Sequence, residues 1–198
     1  MNYKIVSKVC EDEYESLLKM IHESFEEYEK KGLHFTCCDY DCFDLKSKVL
    51  NGMYFVAVDD NQNPLGITSV SIKCSENEKW AYENITAISP IYKGKGIGTA
   101  LYKARTEYLK GINCSYILSD TATDATNSVL WHMKKCNCKK YGFQSFPNTN
   151  YYSYVFREDL KDRLVWSPLF YRIRFFMAYI RTKMLKRKDG SKRWLNLR

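Results

Sequence analysis

Hydrophobic positions along this chain switch between two spacings, and the switches mark out its elements. Residues 3–9 read as a first strand. From 11 to 31 the apolar side chains Tyr14, Leu17, Leu18, Ile21, Phe25 and Tyr28 recur at intervals of three and four, which predicts a long helix ending near Gly32. Residues 33–41 are aromatic without a clear period, and 43–51 predict a short second helix stopped by Gly52. The β-rich stretches 53–58 and 65–72 flank turn chemistry at 59–64 and predict a hairpin, followed by a strand over 80–88. A helix over 97–109 and a strand over 115–119 come next; strand, helix, strand is a crossover unit and implies locally parallel strands. A helix near 127–135 and a hairpin of 139–146 with 151–156, turning at Pro147-Asn148-Thr149-Asn150, complete the body.

The chemistry concentrates where the 80–88 strand passes into the 97–109 helix, in Tyr92-Lys93-Gly94-Lys95-Gly96-Ile97-Gly98-Thr99-Ala100-Leu101. Glycine lets a backbone take φ > 0 and approach a ligand closely, and a helix opening immediately afterwards points unpaired N–H groups and its positive dipole end at an anion. The stretch therefore predicts a cradle for a pyrophosphate. Two better-known phosphate loops do not fit. Lys95 is followed by Gly96 and not by the Ser or Thr of a Walker A loop, and Gly94-x-Gly96-x-Gly98 is not the G-x-G-x-x-G of a dinucleotide fold.

The loop resembles the acetyl-CoA loop of the GCN5-related N-acetyltransferase (GNAT) family, which reads Arg or Gln, two residues, Gly, one residue, then Gly or Ala. Lys93-Gly94-Lys95-Gly96-Ile97-Gly98 matches with lysine in the first position, and Ile85-Thr86-Ala87-Ile88-Ser89-Pro90 supplies the strand and proline that precede it in the family. The element order β-α-α-β-β-β-α-β-α-β-β also agrees, so the resemblance covers roughly residues 3–157. It implies an α/β fold with a mixed, centrally splayed sheet of about six to seven strands flanked by helices, the acyl-CoA N-acyltransferase fold. It also implies an N-acetyltransferase domain over 1–157 that moves an acetyl group from acetyl-CoA to a primary amine by direct attack, without a covalent enzyme intermediate.

The resemblance carries over to named residues. Ala87 and Ile88 would offer backbone bonds to the pantetheine arm at the splay, as though it were another strand. Lys93 to Thr99 (Lys93, Gly94, Lys95, Gly96, Ile97, Gly98, Thr99) would hold the diphosphate, with the lysine side chains either on it or in solvent. Asn127 would contact the cofactor or simply cap its helix. Transfer to an amine needs a base to neutralise the ammonium, and Glu83, with Tyr82 beside it, lies on the strand where many relatives carry a catalytic carboxylate. The register there is open, because a one-residue bulge exchanges the two faces. Relatives often carry a tyrosine on the late helix that protonates the departing thiolate. Here Met133 falls in its place, and Asn137-Cys138 where Gly-Phe would fall. His132, Tyr141 and Tyr151 are the candidate replacements, with core packing the competing reading of His132.

Composition adds three points. The eight cysteines follow no secretory leader, and Cys37-Cys38-x-x-x-Cys42 and Cys136-x-Cys138 lack zinc-ligand spacing; free thiols, a cytoplasmic location and no metal are expected. The net charge of +8 is uneven: residues 1–156 hold 18 Lys and Arg against 19 Asp and Glu, and residues 157–198 hold 13 against 4. The excess lies in a basic C-terminal helical extension over 158–198, starting at Ser167-Pro168 and stopping near Gly190. Leu169, Ile173, Phe176, Ile180 and Met184 share one face of it, flanked by Arg172, Lys183, Arg174 and Arg181, with Tyr171 and Phe175 opposite. Three readings of this 167–193 tail stand open: docking on the domain or on a second subunit of a homodimer, peripheral contact with the inner membrane face, or RNA gripped by Lys186-Arg187-Lys188 and Lys192-Arg193. A non-catalytic CoA-binding module, or a membrane- or RNA-tethered enzyme, is the alternative function; the amine acceptor is not specified.

Overall fold

Seven strands form one sheet in the computed structural model, which describes residues 2–146, 149–161 and 167–184. They are β1 (Lys4–Val6), β2 (Met53–Val58), β3 (Pro64–Cys74), β4 (Lys79–Ile88), β5 (Tyr116–Ala122), β6 (Lys139–Gln144) and β7 (Ser153–Asp159), in the order β1-β2-β3-β4-β5-β7-β6. Every pairing is antiparallel except β4 with β5, which α3 (Ile97–Gly111) joins as the expected crossover. The other helices are α1 (Tyr14–Glu29), entered through a 3₁₀ turn at Glu11–Glu13, α2 (Cys42–Asp44), continued by a π-helical turn over Leu45–Val49, α4 (Thr126–Lys134) and α5 (Pro168–Met184). The element order and the mixed, splayed sheet are those expected. The first strand is shorter than 3–9, and β7 runs two residues past the expected domain end at 157.

The period-two alternation of β2 decides which helix lies on which face. Val56 and Val58 meet Leu17, Met20 and Ile21 of α1, whereas Ala57, between them, meets Ile97 and Leu101 of α3. Further along α3, Leu109 packs with Val70, Ala81 and Ile117. The apolar period of α1 is thus the stripe it buries, with Leu17 and Ile21 innermost.

One irregularity matters for the site. Opposite β3, Ser69 faces Ile85 and Val70 faces Glu83, so Asn84 is an extra residue in β4. Its amide is held: Ser71 donates to Oδ1 at 2.9 Å and Nδ2 donates to Ser69 at 3.2 Å. Gly52 fits beneath because a Cβ there would stand 2.3 Å from the Val70 carbonyl oxygen. The bulge fixes the open register: Glu83 projects to the α3 side, while Asn84 and Ile85 both face α1.

Asn137, where the resemblance leads one to expect glycine, takes φ +50°, the left-handed conformation that a glycine would otherwise supply there. The hairpin turn residues Pro147 and Asn148, and the tail beyond Met184 with Gly190 and both basic clusters, lie outside the described residues.

Arg105 of α3 ties the two halves of the sheet together. It pairs with Glu83 of β4 and with Glu158 of β7 at 3.4 Å, and Tyr102 donates to the other Glu158 oxygen at 2.7 Å. Arg105 and Glu158 are buried, and the Glu83 side chain is 11% exposed. Removing one partner of such a set leaves charge without a counterion, which costs about 3–5 kcal/mol. Arg105→Leu should lower unfolding free energy by about that much at neutral pH. With the cation gone, burial raises both carboxyls above their unfolded values, so protonation relieves the loss and the deficit should shrink as pH falls towards 5. Chemical denaturation of both proteins across that range measures it.

Candidate active site

The sheet comes apart between β4 and β5. Their parallel ladder has two registered pairs, Ala81 with Ile117 and Tyr82 with Leu118. Beyond them β4 stays with β3, and β5 turns away to pair with β7 as far as Ala122 opposite Ser153. The gap is a cleft of about 900 Å³, lined by β4 from Tyr82 to Ile88, by the loop before α3, and by Asn127, Ser128, Trp131, His132 and Lys135 of α4 and its end. Ala87 and Ile88 bury their side chains in the α1 and α3 cores respectively, so what they present at the gap is backbone.

At one end of the cleft is the glycine loop. Gly94 and Gly96 take φ +79° and +87°, and no atom lies within 4 Å of where a Cβ would sit on either. Gly96 is the N-cap of α3 and no side chain caps the helix. Among the described residues, no acceptor takes the N–H of Gly96, Ile97, Gly98 or Thr99; the first helical bond is from Ala100 to the Gly96 carbonyl at 3.0 Å. Four amides converge on open space at the positive end of a helix of 15 residues, an arrangement that binds phosphate oxygens. The Ile97 side chain is buried with Leu101, leaving its amide as its contribution. Lys93 lines the cleft but bonds Glu27 of α1 at 3.1 Å, and Lys95 lies over the Tyr92 ring at 4.9 Å, outside the lining. Asn127 is not the helix cap, a position held by Ala125; it sits one residue into α4 on the cleft side.

The titratable groups cluster at the middle of the cleft. Glu83 lines it but is spoken for by Arg105: burial pushes its carboxyl up, and the Arg105 and His132 charges with bonds from Thr86 and Arg105 outweigh that, holding it below the usual carboxylate range. A carboxylate so held is a weak base. Its neighbour Tyr82 projects the other way and donates a hydrogen bond to Asp120 of β5. Burial and the Asp120 charge push the phenol up, so it stays protonated, and burial raises Asp120 itself against the bond from Tyr82. Asp120 is the residue that reading the sequence passed over. The available signal was a lone acid inside Tyr116-Ile-Leu-Ser-Asp-Thr-Ala122, a run too apolar for an unpaired carboxylate.

His132 combines both readings offered for it. Its ring stacks on Phe156 at 4.8 Å, and it also lines the cleft. Nδ1 bonds the Ser128 carbonyl at 2.8 Å; a carbonyl only accepts, so Nδ1 carries the proton and Nε2 is the exchangeable nitrogen. Met133 is on the outer side of α4, 45% exposed. Tyr151 lines the cleft, whereas Tyr141 does not: it lies beneath α5, 3.9 Å from the Arg174 guanidinium. The candidate set that the fold brings together is therefore Tyr82, Glu83, His132 and Tyr151 with Asp120 added, and Tyr141 falls outside it.

The model of the Acetyltransferase (GNAT) family matches residues 14–137. The chain belongs to that family. Curated protein sequences gave no match. Among solved structures, the chain is similar to the ribosomal-protein-S18-alanine N-acetyltransferase from Escherichia coli, with TM-score 0.62 at 10% identity over 83% of this chain and 100% of that one. It is also similar to the paia N-acetyltransferase from Thermoplasma acidophilum in complex with coenzyme A, TM-score 0.56 at 14% identity over 80% and 99% of the two chains. A NatC complex bound to Gag peptide and CoA gives TM-score 0.62 at 16% identity over 81% and 100%. At these identities the likeness is one of fold.

The loop geometry makes a specific demand on residue 96. Gly96→Ala places a Cβ at φ +87°, a conformation that costs L residues about 1–2 kcal/mol, so the loop relaxes and its amides diverge. Calorimetry with coenzyme A should show affinity lowered about tenfold, the equivalent of that cost, with only a small shift in melting temperature.

Proposed function

We propose that this acetyltransferase transfers acetyl from acetyl-CoA to the primary amine of an acceptor with an apolar carrier group, by direct attack of the amine on the thioester. The observation that carries the reading is the conjunction of four free amides at the start of α3 with an unpaired β4 edge in one cleft. The amides suit the diphosphate, and the edge suits the amides of an extended pantetheine arm. That two similar structures were solved with CoA supports the same donor.

The remaining chemistry falls to the chain's own side chains. An alkylamine is protonated at neutral pH and must lose a proton before it attacks. Asp120 is the base this geometry favours: it lines the cleft half-buried, is raised above the usual carboxylate range, and accepts a hydrogen bond from the Tyr82 hydroxyl. Tyr82 relays and orients. His132, with Nε2 exchangeable and the cleft before it, takes a proton from solvent at Nε2 and passes it to the departing thiolate in place of the family's tyrosine. Glu83 holds Arg105 and so the register of β4, a structural duty.

The acceptor end is walled by rings. Phe35 packs on Phe25, Tyr28 and Tyr151 with centroids 5.1, 5.2 and 4.8 Å away, and all four line the cleft beside Tyr40. Lys48 and Lys31 stand over the Tyr40 and Tyr28 rings at 4.8 and 5.9 Å, so the wall selects by its aromatic surface and not by a negative charge. Aromatic and branched-alkyl amines fit this lining.

Thioester turnover over a panel of amines tests the proposal. CoA release that depends on an arylalkyl or branched-alkyl amine is expected; tight acetyl-CoA binding without turnover for any amine would make the protein a binding module instead. Asp120→Asn should lower kcat by about 10²–10⁴ with coenzyme A affinity retained. In the wild type kcat/KM should fall as pH drops through the raised Asp120 pKa, since the base works only when deprotonated. A Glu83→Gln variant should lose stability yet keep an acid limb, moved to somewhat lower pH because the Glu83 charge helps to raise Asp120.

A further inference from the structure

The last described helix has two apolar faces, and folding uses one of them. Tyr171 donates to Asp159 at 2.5 Å, Arg174 covers the Tyr141 ring, Phe175 packs on Tyr154 with centroids 5.8 Å apart, and Thr182 donates to the Phe143 carbonyl at 2.8 Å. These residues, with Tyr179 on Phe143 at 5.0 Å, fasten α5 along the edge strand β6. Tyr171 and Phe175, which spoil the helix as a simple amphipathic one in sequence, are its docked side.

Leu169, Ile173 and Phe176, three of the residues that the sequence singles out as a stripe, are consequently on the outward side. Leu169, Phe176 and Met177 are 64%, 59% and 62% exposed, and Ile173 lies exposed between them. These positions, with Ile180, fall within roughly a 100° arc, and the exposed Arg172 and Arg181 border it on opposite sides. No Asp or Glu occurs between Asp162 and Asp189. The nearest acid under the helix, Asp159, is taken up by Arg157 at 2.7 Å and by Tyr171.

We infer that the outward face of α5 lies flat on an anionic lipid surface. A greasy stripe with cations on both sides matches the boundary between acyl chains and acidic headgroups, where the arginine stems extend outward to the charge. Two other occupants fit worse. A second copy packed face to face would set Arg172 and Arg181 against the same cations, and RNA would leave the apolar stripe against a polar backbone. Lying flat is also what the helix can do, since no helix among the described residues is long and apolar enough to cross a membrane.

The test is co-sedimentation of the full chain with phosphatidylcholine vesicles and with mixed phosphatidylcholine–phosphatidylglycerol vesicles. The wild type should bind the mixed vesicles about tenfold or more tightly than the neutral ones, and added salt should weaken that binding. Ile173→Asp with Phe176→Asp, both pointing away from the fold, should abolish it while leaving the thermal melt and coenzyme A calorimetry unchanged. Failure of the wild type to bind the mixed vesicles, equal binding to both kinds, or unaltered binding by the double variant would overturn the inference. So would a dimer, seen by light scattering, that the same two substitutions dissolve, or RNA binding in place of vesicle binding. None of these readouts depends on acetyl transfer, so the catalytic proposal and this one stand or fall separately.

Discussion

The structure depends on where a parallel ladder stops. β4 and β5 share two registered pairs and then part, and both the loop before α3 and the line of α4 side chains acquire their meaning from the gap this leaves. An open sheet edge inside a protein leaves backbone N–H and C=O groups without partners, which is costly unless water or a ligand supplies them. The fold keeps such an edge at its centre and surrounds it with rigid elements: β3 clamps one side through its long antiparallel pairing with β4, and β7 clamps the other through β5. The gap cannot close by sliding, because Arg105 holds Glu83 on one half and Glu158 on the other at a fixed span.

That buried set also separates two carboxylates that are close in the cleft but unlike in chemistry. Glu83 is neutralised by a guanidinium and kept ionised; Asp120 has a phenol for a partner and is raised by burial. Environments that push neighbouring acids in opposite directions are how one site separates a structural charge from a working base. The bulge at Asn84 is the local cause. Tyr82 and Glu83, as consecutive strand residues, point to opposite sides of the sheet, and the extra residue at Asn84 decides that Glu83 is the one on the α3 side, beside Arg105.

Much of this was legible in the sequence where the determinants are local. The glycines at 94, 96 and 98, the crossover unit and the α1 period are each encoded within about twenty residues, and each appears as read. The assignment of the base was not legible, because it turns on contacts that join Glu83 to Arg105 and Glu158, and Tyr82 to Asp120, across separate elements. Tyr141 was misplaced for a similar reason: no spacing shows that α5 folds back over β6 and covers it. Leu169, Ile173 and Phe176 of the α5 stripe do lie together on one exposed face, but which of two apolar faces docks is decided by Phe143 and Tyr154 of the final hairpin.

The central claim is that the four amides opening α3 are ligand groups. Amide hydrogen exchange at residues 96–99, followed with and without acetyl-CoA, measures this directly. Protection that rises at those four amides and along the exposed edge of β4, with little change in β1 and β2, is the predicted result. Exchange at residues 96–99 that is indifferent to a saturating amount of the thioester would contradict the account.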